Sequence, residues 1–128
     1  MDKREKVLAI LDQDKTPDYI PAAFFLHFDE ACHQGEAAVE KHLQYFRHTD
    51  MDFVKIQYEN KFPLRSEIEK PEDWAHMPLY PIDFYQDQLD VVKGLVKAAK
   101  KEALVILTLY SPFMCAAHTT GDSLLIQH

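Results

Sequence analysis

Apolar residues along this chain follow two alternating rhythms. Three short runs are dense in β-branched and aromatic side chains: residues 22–27, 53–58 and 105–110. Each predicts a strand. The first run lacks polar alternation, as expected of a parallel strand covered on both faces. Elsewhere the apolar positions widen to a helical period. Val7, Leu8 and Leu11 predict a short amphipathic helix over 3–11, and Pro17 and Pro21 bracket the connector into the first run. Val39, Leu43 and Phe46 predict a helix over 35–48 that closes at Thr49 and Asp50, and Leu89, Val92, Val96 and Ala99 predict another over 86–101. Ser111 can cap a fourth helix with Pro112 in its first position, running on to His128.

Strands alternating with helices predict an α/β fold: about three parallel strands in the order 1-2-3 with right-handed helical crossovers. The pattern reads as the opening of a larger barrel cut near its middle, so that 1–128 is one incomplete β/α-barrel domain. An open third strand at the edge of such a sheet predicts self-association, and hence a homo-oligomer. Residues 59–84, with Pro63, Pro71, Pro78 and Pro81, form a long irregular connection after the second strand, where loops commonly carry function. Within it, Pro71 followed by Glu72 and Asp73 marks a helix start, and Trp74 is expected to anchor the loop.

Composition narrows the function classes. A net charge of -7 gives no electrostatic footprint for nucleic acid. No apolar run reaches the roughly 18 residues of a membrane span, and the charged start offers no signal-peptide core, so no membrane partner and a cytoplasmic location are expected. Cys32 and Cys115 are far apart and show no metal-type spacing; Cys115, in an apolar run, is expected to be buried. Gly-rich phosphate loops, internal repeats and low-complexity tracts are absent from the sequence.

Four segments together resemble the N-terminal part of the uroporphyrinogen decarboxylase family. Residues 3–9 are similar to its first helix, 17–21 to its approach to the first strand, 50–55 to its second strand, and 109–113, Leu-Tyr-Ser-Pro-Phe, to its third strand and Ser-Pro-aromatic turn. The resemblance runs through nearly the whole chain and rests on order and spacing. It implies the first half of a (β/α)8 TIM barrel, a fold of about 250 residues. For the activity it implies cofactor-free decarboxylation of a small-molecule substrate, as in porphyrin biosynthesis, with an acidic residue stabilising a protonated ring while CO2 leaves. The family also includes methyltransferases, in which zinc activates a thiol to accept a methyl group from a corrinoid protein; their zinc ligands lie later in the barrel. A third reading is a non-catalytic segment that associates with another chain.

The departures from the family bear on substrate. Leu26 and Glu30 stand where decarboxylases carry a pair of carboxylate-binding arginines. Neither can imitate a guanidinium, which argues against a substrate with eight carboxylates. Glu59, followed by Asn60, stands where the family has its key aspartate, and Thr119 or His118 where it has a substrate-contacting tyrosine.

Barrel enzymes build their sites at the C-terminal ends of the strands. That rule nominates His27, Tyr58, Glu59, Asn60, Tyr110 and Ser111, together with His118 on the following helix. Glu59 is the candidate acid, base or charge stabiliser. His27 and His118 suit proton transfer or anion contact, with Tyr58 and Asn60 beside them as substrate-binding candidates. Tyr110 and Ser111 can meet an anion at a helix start, although capping alone also explains Ser111. His27, His33 and His118 show no ligand spacing, and no metal is expected in this segment.

Overall fold

Local chemistry sets the helix ends. In the computed structural model, which describes residues 2–12 and 18–121, α1 spans Lys3–Ile10. Asp2 caps it by accepting from the Glu5 N–H at 2.8 Å while Glu5 reaches back to the Asp2 N–H, a reciprocal capping box. α2 spans Gly35–Thr49 and stops at Asp50, whose φ of 53° is left-handed. Lys3 Nζ satisfies the freed end by donating to the carbonyls of Asp50 (2.6 Å) and Met51 (2.8 Å), a cation on a helix C-terminus. α3 spans Gln86–Ala99, and α4 spans Pro112–Thr120.

Among the described residues two strands form, β1 (Phe53–Ile56) and β2 (Leu104–Leu107). They pair in parallel from Phe53 opposite Leu104 to Ile56 opposite Leu107, so both end on the same side of the sheet. The chain is thus a mixed helix-and-strand protein with a parallel pair joined through α3.

The run 22–27 departs from expectation and forms no strand. Its backbone is paired at one end: Asp52 donates its N–H to the Ala22 carbonyl (2.8 Å), and Asp52 Oδ2 accepts from the Ala22 N–H (2.7 Å). Beyond this clasp no ladder follows among the described residues, and Phe24, Phe25 and Leu26 are about half exposed. An apolar run supplies the side chains of a covered strand but not the partner that makes it one.

The chain divides into two compact units. One takes Met1–Glu59 with Gln86–Thr108, the other Asn60–Tyr85 with Leu109–His128, each over its described residues. In the first, α2 and α3 lie on the strand pair around a core of Ala38, Phe46, Met51, Val54, Ile56, Val91, Leu95, Ala99 and Ala103. Val39 and Leu43 pack against that core as expected. The buried stripe of α3 is Gln88, Val91, Leu95 and Ala99: Ala99 is as expected and Val92 packs partly buried against the core, but the other buried positions lie one residue before the expected ones and Val96 turns outward. Gly94 explains the choice. A Cβ there would lie 2.6 Å from Val39 Cγ2, so its missing side chain lets the two helices close up. On α1 only Val7 is buried, whereas Leu8 and Leu11 are exposed.

In the second unit Ile68 is buried, and Arg65 N–H donates to the Thr119 carbonyl at 2.8 Å. Phe84 stacks on Tyr80 (centroids 4.4 Å apart) and on Phe62 (5.6 Å), and Phe62 meets Tyr80 at a tilt (5.1 Å). The expected helix start at Pro71 becomes a 3-10 turn, Pro71–His76, that carries Trp74. Ser111 caps α4 by accepting from the Met114 N–H at 3.3 Å. The helix ends at Gly121, φ 73°, and does not run on to the chain end as expected; residues 122–128, like Pro17 of the first connector, lie outside the described residues. Cys115 is half-buried, short of the full burial expected. No helix among the described residues is long and apolar enough to cross a membrane.

Candidate functional site

Leaving β1, the chain passes Gln57 and Tyr58 and arrives at Glu59. A buried histidine fixes that path. His42 on α2 donates from Nδ1 to the Ala38 carbonyl (2.6 Å), and its Nε2 accepts the Gln57 N–H (2.9 Å). Both ring nitrogens are therefore satisfied in one neutral tautomer. Burial pushes the His42 pKa below its ordinary value; the Ala38 carbonyl and the charge of Glu59 oppose that fall without cancelling it.

The Glu59 side chain is 8% exposed, unusual for an acid outside a strand. Its charge is met by imidazole. His27 Nδ1 donates to both carboxylate oxygens, at 3.1 Å to Oε1 and 3.0 Å to Oε2. His33 stands on the other side, with Nε2 3.8 Å from Oε2 while donating to the Phe28 carbonyl at 2.7 Å. The 3-10 turn Glu30–Cys32 brings His33 back to this position. Phe28 is buried beneath, edge-on to His42 (4.8 Å) and to Tyr45 (5.6 Å), and holds the loop down. Phe25 lies edge-on to the His27 ring at 4.6 Å. The His27 side chain itself is 51% exposed.

The arrangement is a buried carboxylate that orients a half-exposed imidazole. With Nδ1 spent on Glu59, His27 presents Nε2 outward, the usual disposition of a proton-handling histidine. Two of the expected site residues, His27 and Glu59, are thus in direct contact. Tyr58, in the same unit, is partly buried. His33 was not among the expected site residues. No local spacing announces it, because a turn, and not a helix or strand period, brings it to Glu59.

The remaining candidates belong to the second unit. Asn60 donates from Nδ2 to the Phe84 carbonyl at 3.1 Å, which ties the long loop to itself. Tyr110 and His118 form an edge-to-face pair with ring centroids 4.9 Å apart. His118 Nδ1 is buried without a hydrogen-bond partner among the described residues. The hydroxyl of Ser111 is engaged as the cap of α4. Trp74, Phe62, Tyr80 and Tyr85 line an open apolar cleft of about 390 Å³ against α4. Among the described residues no group of three or more His, Cys, Asp or Glu side chains could hold a metal ion.

No protein-family model, curated protein or solved structure matches the chain.

Proposed function

We propose that this chain is part of a uroporphyrinogen decarboxylase-like β/α-barrel enzyme that removes CO2 from a carboxylated small molecule. The observation that supports this reading is the buried Glu59 carboxylate, three residues past the end of a parallel strand and bonded to His27. Loss of CO2 leaves an electron pair on carbon, which must be delocalised and then protonated. A carboxylate–imidazole pair holds one mobile proton and one compensating charge, the two things that step requires. The resemblance in the sequence implies that no cofactor is needed and that the carboxylate at this position matters for turnover. The absent arginine pair points to a substrate with fewer carboxylates than the family's parent compound.

The test is CO2 release by the intact protein against carboxylated pyrroles and simpler aromatic and aliphatic carboxylates. On a substrate that is turned over, Glu59→Gln should lower kcat by about 100-fold or more, the scale expected when a carboxylate–imidazole pair loses its charge. KM should change far less. Full activity in Glu59→Gln would overturn this assignment of the site.

A further inference from the structure

We infer that the proton-transfer group of this site is His27, acting through Nε2, and that Glu59 is its positioning residue and not the group that meets the substrate. This deepens the lyase reading and rests on it for the identity of the reaction. The geometry of the pair stands by itself.

Three observations carry the assignment. The Glu59 side chain is 8% exposed and the His27 side chain 51%, so an incoming molecule meets the imidazole first. Both Glu59 oxygens accept from the same nitrogen, at 3.0 and 3.1 Å, which fixes His27 Nδ1 as the N–H side of the ring. Phe25, edge-on at 4.6 Å, restricts the ring plane from a second direction. A histidine held in this way has one tautomer and one free nitrogen, and the carboxylate behind it sets the orientation.

His33 cannot take the same role. Its Nε2 proton is given to the Phe28 carbonyl at 2.7 Å, and that nitrogen lies 3.8 Å from Glu59 Oε2. His33 completes the polar surroundings of the carboxylate and leaves its two short contacts to His27.

The bond between the substrate carbon and its carboxylate breaks, CO2 departs, and the electron pair stays on carbon. Protonated His27 delivers its Nε2 proton to that carbon and becomes the neutral Nδ1–H imidazole. Solvent then returns a proton to Nε2. Glu59 keeps its contact with Nδ1 throughout and forms no bond to substrate.

The experiment needs no substrate, so its failure is distinguishable from failure of the lyase reading. Long-range 1H–15N spectra of the histidine-labelled protein at about pH 8, above the ordinary histidine range, report the tautomer of each ring. His27 is expected as the Nδ1–H form, and Glu59→Leu should return it to the Nε2–H form. In parallel, diethyl pyrocarbonate is added and each histidine followed by peptide mass. Neutral Nε2 attacks the reagent carbonyl, ethyl carbonate leaves, and the carbethoxy group remains on the ring. His27 should react faster than His48 and His76, which are exposed, and Glu59→Gln should bring its rate down to theirs. A wild-type His27 in the Nε2–H form overturns the proposal without any variant. So does a His27 that reacts no faster than His48 and His76, or one whose rate is indifferent to Glu59→Gln.

Discussion

Replacing His42 tests whether the path into the site is held by one satisfied buried ring. His42 is 4% exposed, donates to Ala38, accepts from Gln57 and meets Phe28 edge-on. In His42→Ala the Ala38 carbonyl keeps its helical bond, but the Gln57 N–H is left buried without an acceptor, at a cost of about 1–3 kcal/mol. The lost ring contact adds about 0.5–1.5 kcal/mol, and the cavity adds to that. Better helix propensity returns roughly half a kcal/mol. The balance is a loss of about 3 kcal/mol, a large share of the roughly 5–15 kcal/mol typical of a folded domain. His42→Gln can offer an oxygen to the Gln57 N–H and should lose distinctly less. Urea unfolding reads both, as a fall in midpoint at constant slope. A His42→Ala protein within about 0.5 kcal/mol of wild type, the range of an ordinary surface change, would refute the accounting.

The same residue gives a signed pH dependence. Burial lowers the pKa of His42 in the folded protein below its ordinary 6.5, so the unfolded chain takes up the proton first as pH falls. Its contribution is therefore complete above about pH 6.5 and is lost below it, at up to about 1.4 kcal/mol per pH unit until the folded ring also titrates. His42→Gln should flatten the slope of stability against pH in that window relative to wild type. Identical slopes would mean that the folded ring takes up its proton as freely as the unfolded one.

Two further substitutions probe the scaffold. Gly94→Ala places a methyl group 2.6 Å from the stiff Val39 side chain; overpacking should outweigh the gain in helix propensity and lower stability by about 1–2 kcal/mol, whereas a more stable protein by urea titration would show that α2 and α3 can part freely. Ser111→Ala removes the acceptor of the Met114 N–H and should cost about 1 kcal/mol of thermal or urea stability, with no loss expected if the hydroxyl serves something other than the cap.

Much of this architecture was legible because its signals are local. Ser111 before Pro112 marks a helix start whatever surrounds it, and α4 begins there. The second apolar run contains β1, shortened to four residues, and β2, also four residues long, begins one residue before the third run and stops at Leu107. What failed was set by partners. In α3 two neighbouring apolar stripes were available in the sequence. The buried one, through Val91 and Leu95, is decided by how closely Gly94 lets α2 approach. Residues 22–27 have the composition of a covered strand, but pairing stops at the Asp52–Ala22 clasp. Composition cannot report where a ladder stops.

The site shows the same division between position and partner. The place of Glu59 after a strand is legible in the sequence, and β1 does deliver it. The same rule points to His27, yet no strand precedes it, and a different cause places it beside Glu59. The chain is clasped to Asp52 at Ala22, and its far end is pinned by Phe28 against His42 and Tyr45. Between these two anchors the ring of His27 reaches a carboxylate 32 positions later in sequence. Phe28 and His42 are therefore as much a part of the geometry as the pair itself. His42 fixes the exit of β1 through Gln57 and, through Phe28, the loop that carries His27. One buried ring so sets both halves of the His27–Glu59 contact. Any change that moves His42 should be felt at Nε2 of His27 before it is felt in the sheet, because the contact depends on two loop anchors while the sheet depends on its own ladder.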